Sequence, residues 1–119
     1  MSADRRLRKE EVDLIAAMLA RNPKRSEILS SLSERLVEDM QDGGMGSLRF
    51  KAIDNLKRHV GNKISEAEFT DEDGVLVSAV LNLDEDGKLF ELDLWKVDFT
   101  ALKRYPRPKE VCLKSMTER

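Results

Sequence analysis

The stretch "LDEDGKLFELDLWKVDF", residues 83–99, decides the fold. Gly87 can take the positive φ that hairpin loops often require, so the stretch reads as a turn leading into a strand. Along that strand Phe90, Leu92 and Leu94 alternate with Glu91, Asp93 and Trp95. A period of two puts the first set on one sheet face and the second on the other. Burying Glu91 and Asp93 unpaired would cost on the order of several kcal/mol each, more than exposing one indole. The leucine side is therefore the core side. Trp95, the only tryptophan, is expected on the far face near Leu76, partly exposed.

Outward from this strand, "DEDG" occurs a second time at 71–74, again between strand-like runs. Pairing Asp71 with Val75 leaves the loop Glu72-Asp73-Gly74 and puts Phe69 opposite Val77 and Ala67 opposite Ala79. For the second turn, pairing Leu83 with Lys88 puts Leu81 opposite Phe90, Ala79 opposite Leu92 and Val77 opposite Leu94. A slip of one residue would turn a strand inside out, so the apolar pattern constrains both registers. The far face then carries the rows Thr70, Leu76, Trp95; Glu68, Ser78, Asp93; and Glu66, Val80, Glu91. Before these turns, Leu48, Phe50 and Ala52 alternate with polar residues and predict a further strand. Residues 54–63 read as a turn and an irregular strand entry.

Earlier still the period is helical. Val12, Ile15, Ala16 and Leu19 form one stripe, with Glu10, Glu11 and Asp13 early, where acids suit the positive end of a helix. Pro23 breaks the pattern at Asn22. Ser26 is a plausible N-cap for a second helix with Ile28, Leu29, Leu32, Leu36 and Met40 on one side. "DGGMGS" at 42–47 would close it, with Gly43 or Gly44 as the left-handed C-cap. The expected architecture is α+β: two N-terminal helices within 8–41, packed on one face of a three- to four-stranded antiparallel meander at 47–99, with a tail at 100–119. Phe69, Val77, Ala79, Leu81, Phe90, Leu92 and Leu94 should pack under Leu19, Ile28, Leu32 and Leu36. The tail holds Tyr105, Val111 and Leu113. It could instead fold back over Trp95.

The 119 residues fit one domain, 1–119, with 40% apolar and 37% charged residues. The single cysteine, Cys112, permits no intrachain disulfide and fits a reducing compartment. The N-terminal "MSADRRLRKEE" has no apolar core of a signal peptide, and no apolar run approaches membrane-spanning length. The expected location is the cytoplasm, away from membranes. Net charge is -2, but unevenly spread. Residues 64–98 hold eleven acids against two bases, a local -9, which leaves +7 for the rest. Such asymmetry bears on partners and association rate.

The strings "DGGMGSLRF", "ISEAEFTDEDGVLVSAVLNLD", "LFELDLWKVDF" and "RYP" resemble a family of small uncharacterised bacterial domains over residues 42–106. The resemblance implies helices before a sheet and supplies no activity and no functional residues. In size and acidity the chain is also similar, at the level of class, to immunity proteins that neutralise bacterial toxins.

No strong enzyme motif is present. "DGGMGS" lacks the lysine and spacing of a phosphate-binding P-loop, and there is no G-x-S-x-G elbow. His59 is the only histidine, too little for a zinc site, and neither "DEDG" loop has the twelve-residue ligand pattern of an EF-hand. No catalytic residue, cofactor or metal ligand is assigned. The leading reading is a non-enzymatic protein-binding module. Glu66, Glu68, Glu91 and Asp93 would meet a basic protein partner, and Trp95 would anchor it. Its most specific version is an immunity-type inhibitor of a basic toxin. Arg49 and Lys51 pairing with Glu66 and Glu68 would instead make those acids an ordinary charged sheet face. One alternative is a small carboxylate- or metal-dependent enzyme using Glu68 and Asp93, about 9.5 to 10 Å apart across two strands. The other is nucleic-acid binding through Arg5, Arg6, Arg8, Lys9, Arg21, Lys24 and Arg25. There the interleaved acids and the lack of aromatic partners argue against phosphate contact.

Overall fold

The computed structural model describes residues 4–52 and 59–114. The chain runs β1 (Arg5–Arg6), α1 (Lys9–Met18), α2 (Arg25–Ser31), β2 (Leu36–Asp39), β3 (Leu48–Phe50), β4 (Val60–Thr70), β5 (Leu76–Asp84), β6 (Leu89–Lys96) and β7 (Cys112–Leu113). Short 3-10 turns lie at Leu32–Glu34 and Pro108–Glu110. All neighbouring strands are antiparallel, in the order β1-β2-β3-β6-β5-β4-β7. The class is therefore α+β with an antiparallel sheet, but the sheet has seven strands rather than three or four. It is not one meander. Two meanders, β1–β3 and β4–β6, meet at the β3–β6 pairing, and β7 returns to the outer edge of β4. Residues 53–58, which include half of the segment read as an irregular strand entry, lie outside the described residues, while Val60–Lys63 belong to β4.

The second helix is far shorter than the sequence pattern predicts. It ends at Ser31, and Leu36–Asp39, expected inside helix 8–41, is strand β2. The Ser30 and Ser31 hydroxyls donate to the carbonyls of Glu27 and Ile28, a side-chain competition that weakens helix ends. A helical stripe through Ile28, Leu32 and Leu36 would also have turned Val37 away from the core. As a strand, Val37 is fully buried opposite Phe50, while Leu36 is left 38% exposed. The glycine loop at 42–47 consequently caps no helix. It joins β2 to β3, with Gly43, Gly44 and Gly46 at positive φ. Asp42 accepts the Met45 and Ser47 N–H groups and holds the loop shut.

One buried cluster unites Leu14, Ile15, Met18, Leu19, Ile28 and Leu32 with the inward residues of the strands. The inward rows run Phe69–Val77–Lys96, then Ala67–Ala79–Leu94, then Ser65–Leu81–Leu92–Leu48. The first hairpin has the predicted register: the Asp71 N–H reaches the Val75 carbonyl at 2.9 Å, and Phe69 faces Val77. The second differs. The Asp84 N–H bonds the Lys88 carbonyl at 2.6 Å, so the loop is Glu85-Asp86-Gly87, the same three-residue turn. Continued regularly, that turn would bring Glu91 and Asp93 into the core. A bulge at Phe90 restores the parity: Leu83 pairs with Leu89, and Asn82 pairs with Glu91. Leu89 thus takes the core position expected of Phe90. Phe90 instead lies under the Arg49 guanidinium, 4.6 Å from its ring centre.

Among the described residues no helix is long and apolar enough to cross a membrane.

Candidate functional site

The shift in β6 rearranges the outward face. Its rows are Lys63–Asn82–Glu91–Arg49, then Glu66–Val80–Asp93, then Glu68–Ser78–Trp95. The four carboxylates still flank the central strand β5, but most have cationic neighbours. Glu91 pairs with Arg49 at 3.1 Å, and Glu66 with Lys63 at 2.9 Å and Lys114 at 3.8 Å. The hydrogen bond from Lys63 holds the Glu66 carboxyl below the usual carboxylate range. Glu68 lies 3.8 Å from Lys114. Asp93 is exposed and accepts only a 3.4 Å hydrogen bond, from the Ser47 hydroxyl. The charged-face alternative is thus realised with different cations from those expected. Arg49 pairs with Glu91, and Lys51 pairs with Glu38 and Asp4. Glu68 and Asp93 also fall in different rows. Among the described residues, no group of three His, Cys, Asp or Glu could hold a metal ion.

Trp95 lies where the period of two puts it, 48% exposed. Its ring neighbour is Phe99, with centroids 6.0 Å apart and planes tilted by 49°. Among the described residues, the C-terminal segment leaves it 48% exposed. Leu102, Tyr105, Val111 and Leu113 pack instead against the buried cluster. Beside the two rings, Leu76 is 40% and Val97 45% exposed, with the Val97 N–H bonded to the Leu76 carbonyl. Phe99 is 68% exposed and has φ +64, the one positive φ among the described non-glycine residues. For a bulky side chain that is a genuine outlier. The odd-numbered spacing of Trp95, Val97 and Phe99 in "WKVDF" was the sequence signal for this cluster. It was legible for Trp95 alone because a turn, with the Phe99 N–H bonded to the Lys96 carbonyl, interrupts the strand.

Behind the aromatic pair lies a buried ionic knot, at a position that the period of two carries onto the core face. Lys96 is fully buried in the inward row. Its ammonium donates to Asp71 at 2.8 Å, Asp73 at 2.7 Å and the Ala101 carbonyl at 3.1 Å. Burial pushes its pKa down, but the two carboxylates outweigh that and hold it above the ordinary lysine value. Burial likewise pushes the Asp71 carboxyl up. Lys96 and the N–H groups of Lys103, Glu72 and Arg104 more than compensate and leave it below the usual range. The knot thus pins the segment after β6, and with it the turn carrying Phe99.

A family model described as Domain of unknown function (DUF6984) matches residues 4–106. The chain belongs to that family. It agrees with the expectation of a small uncharacterised domain, and the matched span includes both helices and β1. No curated protein and no solved structure matches the chain.

Three of the seven basic residues, Arg5, Arg8 and Lys9, are paired with acids of their own neighbourhood. Arg5 grips Glu11 through two hydrogen bonds of 3.0 and 2.7 Å and also pairs with Asp39 at 2.8 Å. Arg8 pairs with Glu11, and Lys9 with Asp13. Glu11, expected only as a favourable charge at the helix start, is 1% exposed and ties α1 to β1.

Proposed function

We propose that this DUF6984 chain is a non-enzymatic protein-binding module that docks through its outward sheet face, with Trp95 and Phe99 as anchors. The observation that carries this reading is the exposed Trp95–Phe99 pair with Leu76 and Val97 beside it. Large aromatic side chains dominate interface hot spots, and a half-exposed pair offers area that folding alone leaves unused. A strained, exposed phenylalanine adds little to the core, and a partner's surface would offset part of its strain. Asp93 and Asp98 flank the aromatic pair, with Glu66, Glu68 and Glu91 further along the face. Asp93 and Asp98, which have no ion pair among the described residues, would favour a basic partner and speed encounter, whereas Glu66, Glu68 and Glu91 would have to exchange their own cations for it. The most specific version is an immunity-type inhibitor that covers the cationic site of a toxin. The exposed thiol of Cys112 suits a reducing compartment such as the cytoplasm.

The test is affinity capture from the source cell with the wild-type chain and a Trp95→Ala, Phe99→Ala double variant side by side. A basic protein should bind the wild type, and the double variant should bind at least about 30-fold more weakly, the effect of losing one hot spot. Asp93→Lys should slow association, most visibly at low salt. Undiminished binding by the double variant, or capture of no protein, would remove the reading.

A further inference from the structure

A second surface has the opposite character. A groove of about 610 Å³ lies between the α1–α2 connection and the β4 edge, lined by Met18, Arg21, Lys24, Lys63, Ile64, Ser65, Leu83, Leu113 and Lys114 among others. Its floor is apolar, with Met18 and Leu83 buried and Ile64 and Leu113 half-buried. Its rim carries four cations, and no acid lines it. Lys63 and Lys114 share Glu66, but Arg21 and Lys24 have no ion pair among the described residues. In a chain of net charge -2, this is a concentrated positive field.

The groove also runs along an open sheet edge. β4 is eleven residues long, but β7 pairs only with Ala67 and Glu68, with one further bond from the Lys114 N–H to the Glu66 carbonyl. On that side Val60–Ser65 have no strand partner among the described residues. An exposed edge of this kind is a template for another strand, and native proteins normally blunt or cover it. Register shifts between Val60 and Ser65 show that β5 holds this half of β4 irregularly.

We propose that the Val60–Ser65 edge and this groove bind an extended acidic peptide segment of another protein by strand addition. Its backbone would pair with Val60–Ser65 on the side that has no strand partner among the described residues. One apolar side chain would enter the floor between Met18, Ile64, Leu83 and Leu113. Its carboxylates would meet Arg21 and Lys24 first, then Lys63 and Lys114. Main-chain bonds supply affinity in such complexes, and the alternate side chains supply specificity. The site does not rest on the partner proposed for the Trp95 face, although Lys63 and Lys114 pair with Glu66, and Lys114 with Glu68, at the border between the two.

The test uses the full chain and three fluorescein-labelled peptides read by polarisation: an alternating Glu/Ile heptamer, its Lys/Ile counterpart, and the Glu/Ile heptamer N-methylated at alternate residues. The Glu/Ile peptide should bind, shifting the backbone amide resonances of residues 60–66 and leaving the Trp95 indole resonance in place. Binding should weaken at least tenfold with Arg21→Glu plus Lys24→Glu, both exposed positions, and at least tenfold again on N-methylation of the peptide. Equal binding of the Lys/Ile peptide, full binding of the N-methylated one, or shifts confined to the Trp95 face would overturn the proposal. So would binding of sodium decanoate without the peptide, which would make the groove a small-amphiphile site. Peptide binding only by a chain cut after Lys114 would assign the edge to the chain's own end and equally overturn it.

Discussion

The two hairpins begin from the same four residues and end with different jobs. At 71–74 and at 84–87, "DEDG" forms the same three-residue loop, with Gly74 at φ +83 and Gly87 at φ +82. In each, the N–H of the glycine bonds the carbonyl of the first aspartate. The difference lies in the carboxylates. Asp84 accepts the N–H groups of Asp86 and Lys88 in its own loop, and its charge favours the cationic form of Arg35. Asp71 reaches out of its loop to Lys96 and to the backbone of Lys103 and Arg104. Their strands differ as well: β4–β5 leaves the first turn in regular register, whereas β5–β6 needs a bulge at Phe90. A turn sequence thus sets local geometry, while the surrounding core decides what the turn holds and whether the strands beyond it must be corrected.

The largest expected effect comes from the register itself. Deleting Phe90 should leave a folded protein, because the remaining residues already pair as a regular ladder: Leu83 with Leu89, Asn82 with Glu91, Leu81 with Leu92. The cost should be about 1 kcal/mol, chiefly the lost stacking with Arg49. Deleting Asp93 should abolish the cooperative thermal transition, because it moves Leu94 off the core face. Equal tolerance of the two deletions would refute the bulge as the device that corrects the second hairpin.

Next in size is the contrast between the two aspartates. Asp71→Asn leaves the Lys96 ammonium buried with half its compensation removed, and should cost on the order of 3 kcal/mol in denaturant unfolding. Asp84→Asn keeps an acceptor for the two turn N–H groups and leaves no buried ammonium uncompensated, so it should cost less than Asp71→Asn. The same contrast appears against pH. The Asp71 carboxyl lies below its ordinary 3.8 in the folded chain. Its stabilisation is therefore present above the unfolded value and lost as pH falls through the folded one. Wild-type stability should decline below about pH 4, and Asp71→Asn should flatten that part of the acid limb. Lys96, held above its ordinary 10.5, has the opposite sign, with its contribution lost as pH rises through the folded value. An acid limb unchanged by Asp71→Asn would detach the first hairpin from the ionic knot.

The smallest effect should be shared. Gly74→Ala and Gly87→Ala each meet open space, so the cost is backbone strain alone, about 1 to 2 kcal/mol in both. A difference of more than about 1 kcal/mol between them would mean that the two loops are not the same turn after all.

Several features needed only the sequence. The period of two in Leu92, Leu94 and Trp95 determined which face of β6 is buried and left the tryptophan outside, because a pleated strand allows no other division. Gly74 and Gly87 determined two tight loops, since a positive φ is cheap only for glycine. The stripe of Val12, Ile15, Ala16 and Leu19 determined a helix, although the residues it buries most deeply are Leu14, Ile15, Met18 and Leu19. Other features were decided only by tertiary structure. Leu36–Asp39 suits helix or strand locally, and the choice fell to strand because β3 offered backbone partners and buried Val37. The row assignment across β5–β6 depended on a one-residue bulge that no local preference specifies. It answers a conflict of parity between a turn and a core that meet only in the folded chain. The same holds for the sites. Trp95 was legible, but Phe99 beside it, the pairing of Glu66 and Glu91 with Lys63 and Arg49, and the carboxylate partners of Lys96 were not. Charges and rings distant in sequence find one another only when the strands that carry them are side by side.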